Sequence, residues 1–179
     1  PVEDECKDIL LEVQAKLKNT VEGSVKWTKD STLHCTLGLL NFDKEEQIKV
    51  VKNRLDEAIE CITSHHCGDQ KEKCKMGFLA AIKNIELWHN ENETGDGFIV
   101  ATMDQGYASL GNIRSAMEEI LGSAISEKQG WKGHVTLGQN VMDSPKNYAA
   151  INSINIGKKG EPTIGAAFPM FKIELRWLK

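Results

Sequence analysis

The sequence predicts a mixed helix-and-strand fold laid out as a doubled unit, and three observations carry that prediction. Apolar residues recur at three- and four-residue spacing in some stretches and alternate with polar ones in others. The segments follow the order helix, strand, helix, hairpin, then helix, strand, helix or loop, strand. A five-residue pattern, His-x-Thr-Leu-Gly, occurs twice, at His34–Gly38 and at His134–Gly138, 100 residues apart.

Each element has a local reason. Residues 3–19 place Ile9, Leu10, Val13 and Leu17 on one helical face, with acids in the first turn as the helix dipole prefers. Residues 31–40 (STLHCTLGLL) read as a strand. A second helix is expected over about 43–63, where Ile48, Val51, Leu55, Ala58, Ile59 and Ile62 form a stripe. Residues 64–75 are a polar loop. Met76–His89 and Gly97–Met103 read as a hairpin whose tip, NENETGDG, is rich in turn residues. A third helix over about 107–126 carries Leu110, Ile113, Met117, Ile120 and Leu121. A strand at Lys132–Gln139, a weaker helix or loop at 144–155 and a closing strand at Met170–Leu178 complete the order.

The 179 residues suit one domain, or one domain built as two lobes, able to bury about 70% of its surface. No internal stretch has the composition of a linker, so residues 1–179 are expected to form a single unit. No apolar run approaches the roughly 20 residues of a membrane span, and the N-terminal stretch PVEDECKDILLEV is too acidic for a signal peptide. A chain that starts at Pro1 is expected to be a trimmed or excised piece of something longer. Five cysteines, an odd number with no CxxC pair, point to free thiols in a reducing compartment, hence the cytoplasm. The net charge of −4 and the lack of a basic run argue against extended duplex nucleic acid, which is gripped by neutralising many phosphates. A small ligand, such as a nucleotide or an RNA end, is the expected partner.

The repeated pattern carries the chemistry. Alternate side chains of a strand share a face. Leu33, Cys35, Leu37 and Leu39 therefore point one way, and His34, Thr36 and Gly38 the other. In the second copy Val135 and Leu137 point inward, with His134, Thr136 and Gly138 opposite. Each copy offers an imidazole and a hydroxyl about 7 Å apart, beside a glycine expected to leave room for a ligand. Phosphoester cleavage needs a base, an acid and fixed donors for the phosphoryl oxygens. Histidine serves as either proton carrier near neutral pH, and threonine hydroxyls serve as donors. One such pair on a strand is ordinarily a surface or core hydrogen-bonding pair. Two in the same register form a candidate site: His34 and His134 catalytic, Thr36 and Thr136 binding phosphate, with no metal and no cofactor required. Two histidines without a third ligand make an incomplete zinc site.

Two His-x-Thr-hydrophobic motifs at this separation resemble the two-histidine (2H) phosphoesterase superfamily. The runs LHCT and HVTLG are most similar to the 2′,3′-cyclic nucleotide 3′-phosphodiesterase branch. The resemblance implies a bilobal α+β fold, with two antiparallel sheets around a central cleft and helices outside, each lobe contributing one motif strand. It also implies hydrolysis of a nucleoside 2′,3′-cyclic phosphate to a 2′-phosphate. By that analogy His134 activates water and His34 protonates the departing 3′ oxygen, although the motifs alone also allow the reverse. The alternatives are a 2′,5′-oligoadenylate phosphodiesterase and a non-catalytic nucleotide- or RNA-end-binding module. The expected partners are nucleotides or short RNA bearing a cyclic phosphate or a 2′,5′ linkage, and the expected state is a monomer.

Further residues have a packing role to set beside a functional one. Lys132 shares the face of His134 and could meet a phosphate oxygen. Phe42, Tyr107 and Trp131 are candidates for stacking on a base, worth roughly 1–3 kcal/mol. Trp27, Trp88 and Trp177 are expected in the core. Cys61, His65, His66, Cys67 and Cys74 match no standard zinc spacing. Gly106 and Gly111 lack the lysine and the preceding strand of a phosphate-binding loop, and Cys35 points away from His34.

Overall fold

A computed structural model describes residues 4–40, 49–56, 78–89, 96–103, 131–154 and 167–170, with the further positions 111, 114, 115, 117–119, 121, 122 and 125. Chain order gives α1 (Asp4–Lys18), β1 (Lys26–Trp27), a 3-10 turn (Asp30–Thr32) and a helix α2, described at 49–56. Then come β2 (Phe78–His89), β3 (Asp96–Met103) and a helix α3, described in part between 111 and 121. The series closes with β4 (His134–Met142), α4 (Pro145–Ile154) and β5 (Ala167–Met170). The fold is thus α+β.

The described strands make one antiparallel sheet in the order β1-β4-β3-β2-β5, where the resemblance implies two. One face of it buries a continuous core. Leu10, Val13 and Leu17 of α1 and Ile151 of α4 pack there against Ile85, Ile99, Ala101, Val135, Leu137 and Val141 of β2, β3 and β4. Leu10, Val13 and Leu17 are on the stripe, and Val135 and Leu137 at the inward positions, that the sequence pattern selects. Each fully buried leucine or isoleucine contributes roughly 1.5–3 kcal/mol. Val51 and Leu55 of α2 and Met117 and Leu121 of α3 are buried outside that cluster. No helix among the described residues is long and apolar enough to cross a membrane.

Two buried amides fasten the layers. Gln14, 1% exposed, donates from Nε2 to the carbonyls of Thr28 (2.9 Å) and Leu137 (2.8 Å), tying α1 to β4. Asn147, fully buried, donates from Nδ2 to the carbonyls of Met142 (2.9 Å) and Glu22 (3.2 Å), while its Oδ1 accepts from the Glu22 N–H (2.8 Å). Ser144 caps α4 by accepting the Asn147 N–H at 3.2 Å, with Pro145 in the first turn, where its missing donor costs nothing.

A strand is present at Ala167–Met170, ahead of all but the first residue of the expected closing segment. Ala167–Met170 pairs with Phe78–Ala81, and Pro169 sits within it. Proline cannot donate to a ladder and is tolerated at a sheet edge, which hid this strand from alternation alone. Residues 171–178 lie outside the described residues, as do the loop 64–75 with its His and Cys residues, Cys61, Gly106 and Trp177.

Candidate active site

The second motif occupies the start of β4 and is laddered to β3, with His134 opposite Thr102, Val135 opposite Ala101 and Thr136 opposite Val100 before a bulge at the next residue. Val135 and Leu137 are fully buried, as the alternation predicts. The first motif is not the regular strand expected over 31–40. β1 and the Thr28 N–H bond to β4 as far as the Leu137 carbonyl (2.9 Å). The chain then leaves the sheet at the 3-10 turn, closed by Thr32 N–H to Lys29 carbonyl (2.9 Å) and by the Thr32 hydroxyl to the same oxygen (2.8 Å). Asp, Ser and Thr at 30–32 favour such local bonds over a ladder. It returns at Cys35, which bridges Val135 in antiparallel sense, and Leu40 bridges Ile125.

The Cys35–Val135 bridge has a direct geometric consequence. Residues flanking a bridged antiparallel pair project to the face opposite it, and directly opposed neighbours are about 4.5–5.5 Å apart at Cβ. Extended one residue either way, that register sets His34 opposite Thr136 and Thr36 opposite His134, on the face away from the core. All four are half-buried. Leu33, Cys35 and Leu37 pack toward the core, as anticipated.

Both imidazoles are anchored alike. His34 Nδ1 lies 2.6 Å from the Thr32 carbonyl, and His134 Nδ1 lies 2.8 Å from the Lys132 carbonyl, each two residues back. A carbonyl only accepts, so Nδ1 carries the proton and Nε2 is the nitrogen that exchanges one. Cys35 faces the core, and burial pushes its thiol up from 9.0 to about 11, only partly countered by a hydrogen bond to the His134 backbone. It stays protonated at neutral pH and is no nucleophile.

The glycines act differently from expectation. A Cβ on Gly38 would lie 2.7 Å from Ile125 Cδ1, and one on Gly138 2.9 Å from Val25 Cγ1 and 3.3 Å from Trp27 Cε3. The room they leave is already filled by protein. A bulge between Ile99 and Val100 sets Gly138 opposite Ile99 and so turns it to the core side, breaking the simple alternation.

Trp88 was expected in the core, yet β2 and β3 pair Glu86 with Val100 and Trp88 with Phe98, which puts Trp88 on the histidine face. Its half-buried ring lies 4.7 Å from that of His134, and its Nε1 donates to Glu86 Oε2 at 2.8 Å. Glu86 Oε1 in turn accepts from the Thr102 hydroxyl at 3.2 Å. The exposed Lys132 sets its Nζ 6.0 Å from the Trp88 ring centre. Only the hairpin register could reveal this. Trp131 packs against the core and its Nε1 donates to the Thr36 carbonyl at 3.0 Å, so its ring is engaged in packing rather than offered to a base. Phe42 and Tyr107 lie outside the described residues. Among the described residues no three His, Cys, Asp or Glu side chains gather as a metal site.

Comparison with known proteins places the fold. No family model matches the chain, and no curated protein matches it. Among solved structures, the chain resembles TT0787 of Thermus thermophilus (TM-score 0.52, 19% identity, 80% of this chain and 73% of that one). It also resembles Usb1 of Kluyveromyces marxianus, solved with uridine monophosphate (TM-score 0.55, 14% identity, 85% of this chain and 76% of that one). At these identities the likeness is one of fold.

Proposed function

We propose that this chain is a 2H-type phosphodiesterase that opens a 2′,3′-cyclic phosphate on a nucleotide or RNA end to give a 2′-phosphate. The observation that carries this reading is the Cys35–Val135 bridge, which joins two motifs 100 residues apart, together with the identical Nδ1 anchors of their histidines. The fold shared with Usb1, whose solved structure holds uridine monophosphate, supports a nucleotide as ligand.

In this mechanism Nε2 of His134 takes a proton from water as its oxygen attacks phosphorus. Nε2 of His34 gives a proton to the departing 3′ oxygen. The hydroxyls of Thr36 and Thr136 donate to the non-bridging oxygens as they gain charge. Lys132 adds positive charge beside the same face. Acid, base and donors all come from side chains, so the chemistry calls for no metal.

The test is phosphorus NMR of a 2′,3′-cyclic nucleotide incubated with the protein. A 2′-phosphate product is expected, with turnover falling about 10²–10⁴-fold in His34→Ala and in His134→Ala. Turnover within tenfold of the parent in either variant would remove the acid–base assignment. Tight binding of AMP without hydrolysis of any cyclic substrate would point instead to a binding module.

A further inference from the structure

The first motif has little backbone support of its own. Among the described residues, its one ladder contact across 34–38 is the bridge at Cys35. The next two carbonyls are claimed by side chains instead, Thr36 O by Trp131 Nε1 at 3.0 Å and Leu37 O by Arg114 Nη1. These two donors lie within cation–π range of each other, the Arg114 guanidinium standing 5.8 Å from the Trp131 ring centre. Arg114 is 5% exposed, and its Nη2 pairs with Glu118 Oε1 at 2.7 Å, one turn along α3. A buried guanidinium is costly unless its donors are used, and here its two arms join α3 to the motif segment. Trp131 precedes His134 by three residues and reaches across to the other motif.

We infer that Trp131 and Arg114 are positioning residues that fix His34 and Thr36 against His134 and Thr136. The inference rests on the phosphodiesterase reading for its catalytic consequence, but not for its structural one. An edge segment held by one bridge can shift along β4, and a misplacement of about 1 Å at a reacting centre costs on the order of 10²-fold in rate. A side-chain brace from both α3 and the lead into β4 prevents that shift. Neither residue touches substrate in this scheme.

Two variants test it. Trp131→Phe keeps an aromatic ring in the packing and removes only the N–H. Arg114→Lys keeps the cation and loses the two-armed fork. On a 2′,3′-cyclic nucleotide each is expected to lower kcat by about tenfold or more with KM within about twofold. In ¹H–¹⁵N spectra the amides of 33–38 and the His34 imidazole should move while the β3 amides stay. Unmoved signals at 33–38 would overturn the inference, as would moved signals with kcat within twofold of the parent. Signals displaced throughout the sheet would also overturn it, by showing a general packing role. If the parent protein hydrolyses no cyclic nucleotide, it is the phosphodiesterase reading that fails, and the spectra alone decide whether the brace exists.

Discussion

At the scale of single residues the two motifs are chemically alike but not identically surrounded. Each histidine spends Nδ1 on a carbonyl two residues back, so each presents the same nitrogen for proton exchange. The threonines differ from a catalytic pair in role: they donate to charge without changing protonation. Thr36→Val or Thr136→Val, which keep the side-chain shape and lose the hydroxyl, should each lower kcat/KM by about 10²–10³-fold, the loss of one transition-state donor. Steady-state kinetics on the cyclic nucleotide would check this, with circular dichroism to show that the fold persists. Cys35 offers a prediction independent of the reaction. Its thiol titrates near 9.0 when unfolded and near 11 when folded, because burial disfavours the thiolate. The unfolded chain therefore loses this proton first as pH rises. The stability that burial gives is fully present below pH 9 and is lost between about pH 9 and 11. Denaturant melts of the parent should fall through that window more steeply than those of Cys35→Ala, and alkylation of Cys35 near neutral pH should be slow.

At the scale of elements, the instructive contrast is between the two copies of one motif. His134–Gly138 is part of a ladder strand, whereas His34–Gly38 meets the sheet, among the described residues, at the one bridge of Cys35. The five-residue match is equally good in both, and a local pattern cannot say how many hydrogen-bonding neighbours a segment will have. The polar run at 30–32 decides the matter by closing a turn just before the motif. The glycines teach the same lesson. Their lack of a side chain was legible, but what uses the space is a packing partner from another element. Gly138→Ala should cost about 1–3 kcal/mol through overpacking against Val25 and Trp27, read as a lower denaturation midpoint at unchanged slope. Asn147→Ala should cost about 2–3 kcal/mol, since it strands the Glu22 N–H and the carbonyls of Glu22 and Met142. The same melts would measure it, and a loss under about 0.5 kcal/mol would mean that water takes over those partners.

At the scale of the whole molecule, the sheet separates two tasks. Its core face, under α1 and α4, supplies stability, and its other face collects His34, Thr36, His134, Thr136, Thr102, Glu86 and Trp88 from four separate stretches of chain. A reaction run by two histidines on that face should show a bell-shaped dependence of kcat/KM on pH near neutrality. A single sigmoid would leave only one titrating partner. With a net charge of −4, binding of a short RNA should depend weakly on salt, reporting about one or two phosphate contacts rather than many. A slope corresponding to about six or more released counterions would show a basic surface that the composition does not suggest.

By itself the sequence determined what periodicity can encode. It specified α1 almost to the residue, the β2–β3 hairpin and the buried set Leu10, Val13, Leu17, Val135 and Leu137; it left 144–155 open between helix and loop, and it singled out the four polar residues of the twin motif. Each of these depends on contacts within a few residues or on a repeat visible by eye. The tertiary structure alone decided that Trp88 stands beside His134 and that Trp131 and Arg114 hold the first motif. It also decided that Ile125 and Trp27 fill the space at the glycines. Those facts depend on strand register, on a bulge and on partners far away along the chain, and a side chain's neighbours across a sheet leave no mark on the residues beside it in the sequence.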